Sequence, residues 1–369
     1  MNPFIISGYA GTEYFCDRKN ELSKLTEAFR NGRNVTLFSL RRMGKSSLIK
    51  CLFENIKKEA FCVYVDIYSA TNFQEMIELT ANAVTDFFGT TFKDFLIKIT
   101  NLIKSLNATL SYDELTGKPR IKIGIGDIQK QTNNLKQLIN FLEKSKKRVL
   151  LVFDEFQSIL NFTEKNTEAI LRTEFQNCKK INFIFSGSNN RMLQSIFSQN
   201  AKPFYQSTQN LHLEEIEKNV YKKFIYEKFR KGRQRISDEQ IDFIYESCRG
   251  HTYYIQMYCN RLFSKDFNGN NNLLKSTLEE ILKENEAVYY NYKNLLTSLQ
   301  WQFVKAVAKE KKVKEPFAGA FLSKYNLKSS SSIQRIIDSL LKREIIIFYK
   351  NNFMISDVFF SLWLQSNVI

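Results

Sequence analysis

Histidine is nearly absent: His212 and His251 are the only two among 369 residues. A histidine-built metal centre and a histidine-dependent nucleophile are therefore poor readings. Cysteine is sparse and badly spaced for chemistry. The six (residues 16, 51, 62, 178, 248 and 259) form no Cys-x-x-Cys pair, and most lie among apolar neighbours. They read as reduced core residues, not as a zinc site or a disulfide frame. No apolar run approaches the roughly 20 residues that a bilayer-spanning helix needs. The opening Met1–Gly8 has neither the basic segment nor the apolar stretch of a secretory leader, and no lipidation motif ends the sequence. A cytoplasmic protein without a membrane partner is the expectation.

What is present is an ordinary globular composition, 43% hydrophobic and 25% charged, on a chain long enough for two or three domains. The net charge of +16 attracts polyanions and would steer nucleic acid. Many of the lysines stand beside glutamates on amphipathic stretches such as Leu274–Glu286, where they read as a solvated face. The richest basic run, Tyr221–Arg235, interleaves aromatics with bases at helical spacing. Its aromatics read as a buried stripe, and its bases as an outer face open to phosphate contact.

The run Leu37-Phe38-Ser39-Leu40-Arg41-Arg42-Met43-Gly44-Lys45-Ser46-Ser47-Leu48 reads as a phosphate-binding loop between a strand and a helix. Gly44 lets backbone approach a phosphate, Lys45 reaches the β/γ-phosphates and the Ser46 hydroxyl suits Mg²⁺. Ser39, Arg42, Met43, Gly44, Lys45, Ser46 and Ser47 are the candidate nucleotide-binding residues. Arg41 and Arg42 reach phosphate or are exposed loop charges. Ser39 stands where the strict pattern has its first glycine, so Gly-Lys-Ser alone is a weak signal. A second run strengthens it. Arg148–Phe153 is continuously apolar after its arginine and stops at Asp154-Glu155, as a strand buried on both faces does. In parallel sheets ligands bind beyond such carboxyl ends. Asp154 is the candidate metal ligand with Ser46, and Glu155 the candidate water-positioning base. A third strand, Ile181–Phe185, ends in Ser186-Gly187-Ser188-Asn189-Asn190-Arg191. Ser186, Ser188 and Asn189 are candidate γ-phosphate sensors, and Arg172 and Arg191 candidate arginine fingers.

Together these segments resemble the archaeal-type ATPases, P-loop proteins related to the AAA+ and STAND groups. Tyr14-Phe15-Cys16-Asp17-Arg18-Lys19-Asn20-Glu21-Leu22 is similar to the segment that precedes the P-loop there. Arg41–Leu48, Asp154–Gln157, Ser186–Ser188, Lys202–Tyr205 and Arg249–Tyr254 resemble the motifs that follow in order, with Thr252 where the family has proline. The resemblance implies ATP and Mg²⁺ as cofactors, adenine near residues 14–22, a helical lid and a C-terminal winged helix.

The expected fold is α/β: a P-loop, AAA+-like parallel sheet wound with helices over 1–210, a helical lid over 211–292 and a winged helix-turn-helix over 293–369. Sheet strands are expected at about 35–40, 61–67, 149–153 and 181–185. The alternating stretch at about 108–127 reads as an inserted β-hairpin around Gly117-Lys118-Pro119, and Gly124-x-Gly126 lacks the third glycine of a dinucleotide fingerprint. Ser237-Asp238-Glu239-Gln240 reads as a capping box, with Gly250 as the residue after that helix. In the last segment, helices at 294–310, 316–325 and 330–343 precede a hairpin over 344–356, and Phe359, Phe360 and Trp363 close the core. Ser331, Gln334, Arg335 and Lys342 would face outward from the third helix. Three functions remain open: a Mg²⁺-dependent ATPase working as a switch or motor, an ATP-gated scaffold with little hydrolysis, and a DNA-binding initiator or mobile-element ATPase. A protein partner or a homo-oligomer fits each.

Overall fold

The computed structural model describes residues 2–91, 96–112, 119–124, 126–327 and 329–367. They divide into two compact units, Gly8–Glu215 and Ile216–Ile369, the second joined by Met1–Ser7.

The first unit contains helices α1 (Lys19–Arg30), α2 (Lys45–Ile56), α3 (Phe73–Thr91), α4 (Leu96–Ser105), α5 (Ile128–Glu143), α6 (Thr167–Gln176) and α7 (Asn190–Phe197). Its strands are β1 (Val35–Ser39), β2 (Ala60–Asp66), β3 (Ala108–Tyr112), β4 (Pro119–Ile123), β5 (Arg148–Asp154), β6 (Ile181–Gly187) and β7 (Gln209–Leu213). Five strands form one sheet in the order β2-β5-β6-β1-β7, every pairing parallel. Alternate residues of each strand feed two cores. Leu150 and Val152 pack with Leu25, Phe29, Leu48 and Leu52 of α1 and α2. Val149, Leu151 and Phe153 pack on the other face with Met76, Ile77, Leu138 and a cluster of phenylalanines. Both faces being covered explains why the strands read as unbroken apolar runs. β7 does not read that way. It is an edge strand in which only Leu211 and Leu213 are buried, so periodicity alone misses it.

β3 and β4 form the expected antiparallel hairpin. The outer edge of β4 is closed by side chains from α3. Asn82 accepts the Ile121 N–H at 2.7 Å and donates to the Ile121 carbonyl at 3.1 Å. Glu78 accepts the Ile123 N–H at 2.9 Å, and Gln74 donates to its carbonyl at 3.0 Å. Three residues at four-residue spacing thus stand in for a neighbouring strand and protect an edge that would otherwise pair with another chain. Gly117 and Lys118 of the expected turn, and Ile125 between the two glycines, lie outside the described residues.

The second unit holds α8 (Lys218–Lys231), α9 (Asp238–Ser247), α10 (Thr252–Ser264), α11 (Asn271–Glu284), α12 (Glu286–Leu295), α13 (Ser298–Glu310), α14 (Gly319–Lys324), α15 (Ser330–Lys342), the hairpin β8 (Ile346–Tyr349) and β9 (Asn352–Ile355), and α16 (Val358–Asn367). Phe4 is buried here against Phe224, Phe229 and Phe263, which takes the first seven residues away from the 1–210 segment in which the sequence placed them. Ser237 forms its capping box with Gln240. The first residue after that helix in the left-handed region is Arg249 (φ 52°), not Gly250, although Gly250 (φ 69°) follows in the same region. Arg249 N–H donates to the Glu246 carbonyl and Gly250 N–H to that of Tyr245, a Schellman closure shifted by one residue. The Arg249 guanidinium explains the choice: it is half-buried and donates to Ser361 Oγ at 2.5 Å. Three helices (α13, α14, α15) and a hairpin give the winged helix. Lys350 and Asn351, both at positive φ, form its turn, and Val313 adds a single bridge to Phe353. Phe359, Phe360 and Trp363 are buried on α16, as core residues. Among the described residues no helix is long and apolar enough to cross a membrane.

Candidate active site

β1 delivers the chain into a turn that opens α2. Arg42 (φ 63°) and Gly44 (φ 91°) are left-handed there, and Gly44 directly precedes Lys45, the first residue of the helix. Glycine takes that conformation without steric cost. The helix start offers free N–H groups and a partial positive charge to an anion. The turn is anchored by Arg18, whose buried guanidinium donates to the Met43 carbonyl at 3.3 Å, the Glu214 carbonyl at 2.6 Å and the Glu21 carboxylate at 3.0 Å.

Lys45 lies between two carboxylates. Its side chain is 9% exposed, and Nζ stands 2.7 Å from Asp154 Oδ1 and 3.0 Å from Glu155 Oε1. The Ser46 hydroxyl donates to Asp154 Oδ2 at 3.3 Å. Three strand ends contribute the rest. Ser186 of β6 donates to Asp154 Oδ1 at 2.7 Å, and the Tyr64 hydroxyl of β2 donates to Asp154 Oδ2. Ser188 donates to Glu155 Oε2 through its hydroxyl (2.8 Å) and its N–H (3.2 Å), and Gln157 Nε2 donates to the same oxygen at 2.6 Å. The register makes this possible: Leu37 pairs with Ser186, Phe38 with Gly187, and Asp66 with Asp154, so the ends of β1, β2, β5 and β6 open on one side.

Burial pushes the Asp154 carboxyl up, but the Lys45 charge and the hydrogen bonds of Lys45, Tyr64 and Ser186 outweigh it, leaving the group below its ordinary value. Glu155 follows the same logic: burial raises it, Lys45, Gln157 and Ser188 lower it further, and the net is again downward. Both are carboxylates at neutral pH. The Tyr64 hydroxyl is pushed up by burial and by the Asp154 charge, so it stays a donor.

A glycine-lysine-serine turn at a helix start, beside an Asp-Glu pair at the end of the next strand but one, is the geometry of a P-loop ATPase. The family model described as an ATPase domain predominantly from Archaea matches residues 15–258, and one described as a probable winged helix domain matches residues 287–366. The chain belongs to this archaeal ATPase family. No curated protein matches it. Among solved structures, the Walker-type ATPase PABY2304 of Pyrococcus abyssi is 16% identical with a TM-score of 0.68, over 98% of this chain and 99% of that one. The Aeropyrum pernix ORC2 protein in its ADPNP-ADP complexes is 14% identical with a TM-score of 0.59, over 99% and 98%. The Aeropyrum pernix ORC1 protein in complex with DNA is 9% identical with a TM-score of 0.50, over 96% and 93%. At these identities the likeness is one of fold.

Within the ATPase domain the other candidates separate by position. Ser39 is buried and its hydroxyl donates to the Leu40 carbonyl at 2.8 Å, so it supports the turn from behind. The Met43 side chain is in the core and its carbonyl is held by Arg18, which leaves its N–H for a ligand. Ser47 donates to the Gly8 carbonyl at 3.3 Å. Arg41 and Arg42 are exposed. Of the candidate sensors, Ser186 and Ser188 meet the carboxylates, whereas Asn189 caps α7 by accepting the Met192 N–H at 3.1 Å. Arg172 stands half-buried on α6 and Arg191 exposed on α7.

Tyr64 and Gln157 were not singled out as site residues in the sequence. Tyr64 alternates with Val63 and Val65 and reads as one more strand residue. Gln157 reads as part of the helix after the acidic pair, and nothing local says that its amide folds back onto Glu155.

The donor set fits Mg²⁺. Among the described residues no group of three or more histidine, cysteine or acidic side chains could hold a metal by itself. Ser46 and Asp154 offer two hard oxygen donors beside the phosphate-binding turn, and Mg²⁺ characteristically takes one or two protein ligands together with water and substrate phosphates.

Proposed function

We propose that this chain binds ATP with Mg²⁺ and hydrolyses it, using the cycle as a molecular switch or motor. The observation that carries the reading is Lys45 held at 2.7 and 3.0 Å by Asp154 and Glu155, beside Ser46. With ATP bound, the Lys45 ammonium would leave the carboxylates for the β/γ-phosphate oxygens, joined there by the N–H groups at the start of α2. Ser46 and Asp154 would hold Mg²⁺, with Tyr64 and Ser186 orienting Asp154. The bound ion would neutralise charge that builds on the phosphate oxygens in the transition state. Glu155, released by Lys45, would orient the attacking water.

The test is ATP turnover with Mg²⁺ by the purified protein beside Glu155→Gln. Turnover in the parent and a loss of about 10²–10³-fold in the variant, with ATP still bound, is the expected result. Equal rates in the two would remove Glu155 from the reaction.

A slow, ATP-gated scaffold is a second reading, and one observation favours it: both Glu155 oxygens are already engaged by Lys45, Gln157 and Ser188. Turnover that rises only with a partner or on self-association, where Arg172 or Arg191 would serve in trans, separates it from a free-running enzyme. For DNA, α15 presents Ser331, Gln334, Arg335 and Lys342 outward. A salt-dependent shift of labelled duplex, lost in Arg335→Ala/Lys342→Ala, supports a DNA partner; no binding at low salt removes it.

A further inference from the structure

Gln157 carries a cost that packing does not explain. It is 7% exposed, and its Oε1 has no hydrogen-bond partner. Turning the amide over would aim Oε1 at Glu155 Oε2, oxygen against carboxylate, so the Nε2-to-Oε2 bond of 2.6 Å fixes the orientation. The unpartnered oxygen then lies over Gly187. A Cβ built on Gly187 would come 2.0 Å from Oε1 and 3.1 Å from Cδ of the same amide, and the nearest atom of any other residue, Leu193 Cδ2, stands at an ordinary 3.5 Å. Gly187 is a β6 residue outside the left-handed region, so space for this amide, not backbone freedom, is what a side chain there would take away. A buried acceptor left without a partner points to a positional role for the group that bears it.

The two oxygens of Glu155 are treated differently. Oε2 receives three donors: Gln157 Nε2, Ser188 Oγ and Ser188 N–H. Oε1 receives Lys45. Glu155 itself sits at φ 54°, a sparsely populated conformation for a glutamate, which the surrounding bonds must sustain. When Lys45 turns to phosphate, Oε1 alone becomes available, while the carboxylate stays clamped at Oε2.

We propose that Gln157 is the positioning residue of the hydrolytic carboxylate: with Ser188 it locks Glu155 Oε2, leaves Oε1 as the oxygen that meets the attacking water, and needs Gly187 for room. The proposal rests on the hydrolytic reading above and adds to it the residue that aims the base and the residue that makes room for it.

The experiment measures kcat and KM for ATP with Mg²⁺, and equilibrium binding of a fluorescent ATP analogue. It uses the full-length parent, Glu155→Gln, Gln157→Met, Gln157→Ala, Gly187→Ala and the double variant Gly187→Ala/Gln157→Ala. Melting curves accompany each to show that it folds. Gln157→Met keeps the length and removes the hydrogen bond. The expected result is a kcat loss of about 10- to 100-fold in Gln157→Met and Gln157→Ala, with analogue binding within about two-fold of the parent, the size typical of a group that orients an active-site residue. Gly187→Ala should show the same loss. The double variant should be no worse than Gln157→Ala alone, because the added methyl collides only with the amide that has been removed. Parental kcat in Gln157→Met, or a double variant whose loss is the product of the two singles, overturns the proposal. If Glu155→Gln collapses while Gln157→Met does not, only the positioning role falls. If Glu155→Gln turns over at the parental rate, the hydrolytic role of Glu155 and this proposal fall together.

Discussion

Lys45 and Lys222 each lie close to two carboxylates. Lys45 is 2.7 and 3.0 Å from Asp154 and Glu155; Lys222 is 3.2 and 3.1 Å from Asp238 and Asp242. On α8 the pattern repeats one turn earlier, with Lys218 at 3.0 Å from Asp242 and 2.9 Å from Glu246. The distances are nearly the same and the environments differ, most of all at the carboxylates. Asp238 is 74% exposed and Glu246 69%, so water screens these pairs and can replace either partner. Around Lys45 nearly every charge is out of water, and each carboxylate oxygen has a protein donor. An ion pair in that setting is valued for where it puts its atoms more than for its attraction, because desolvation offsets most of the Coulomb gain. The comparison also bears on the net charge of +16. Two lysines of the most basic helix are engaged by α9 carboxylates, so composition overstates how much of that charge is displayed to a partner.

The sharpest way to break the comparison is to remove each lysine. Lys45→Met leaves a buried carboxylate and a half-buried one side by side without their cation. It should cost about 3–5 kcal/mol of stability in nucleotide-free protein at neutral pH, and it should abolish ATP binding. Chemical denaturation in EDTA and an equilibrium binding assay measure the two. The pH dependence has a definite sign. In the parent, Asp154 and Glu155 sit below their ordinary values, so their contribution is present above about pH 4 and is lost as pH falls through their folded values. Without Lys45 the burial effect dominates and their folded values rise. The deficit of the variant should therefore be full at pH 8 and shrink towards pH 5, where proton uptake relieves it. A deficit independent of pH would mean that the carboxylates are not coupled to Lys45.

Arg249→Met comes next. The half-buried guanidinium donates to Ser361 Oγ and the Ile355 carbonyl, with desolvation lowering its proton affinity, and the substitution removes both bonds, leaving Ser361 Oγ only the Gln365 amide as a donor. A loss of about 1–3 kcal/mol is expected by denaturant titration. No loss would place this arginine with the surface charges. Tyr64→Phe removes one donor from Asp154 while keeping the ring. A several-fold rise in the Mg²⁺ concentration needed for half-maximal ATP turnover, with little change in melting temperature, is the expected outcome. An unchanged Mg²⁺ requirement would assign Tyr64 to packing. Lys222→Ala should do least: a melting temperature equal to the parent's within error and an unchanged response to salt. A drop comparable to that of Lys45→Met would erase the contrast between the two settings.

The sequence was informative where one residue type answers one need. Gly44, Lys45 and Ser46 are contiguous, and Asp154-Glu155 ends an apolar run. Each signal survives reading in one dimension because the chemistry is set by neighbours in the chain. The parallel sheet was legible for a similar reason, since strands covered on both faces must be apolar throughout. β7 was not, because an edge strand has only one demanding face. Arg249 at a position where glycine was expected shows the same limit: the left-handed cost is offset by bonds to Ser361 and Ile355, more than a hundred residues away.

By itself, then, the sequence determined the α/β class, the order of the motifs and the identity of the charged groups, because local pattern and composition suffice for those. Only the tertiary structure decided which charges lose their water, that Ser186 and Ser188 rather than Asn189 meet the carboxylates, and that Tyr64 and Gln157 belong to the same network. Hydrogen bonds act over about 3 Å. Which atoms come that close at the ends of four strands is fixed by register and packing, and no window along the chain contains that information.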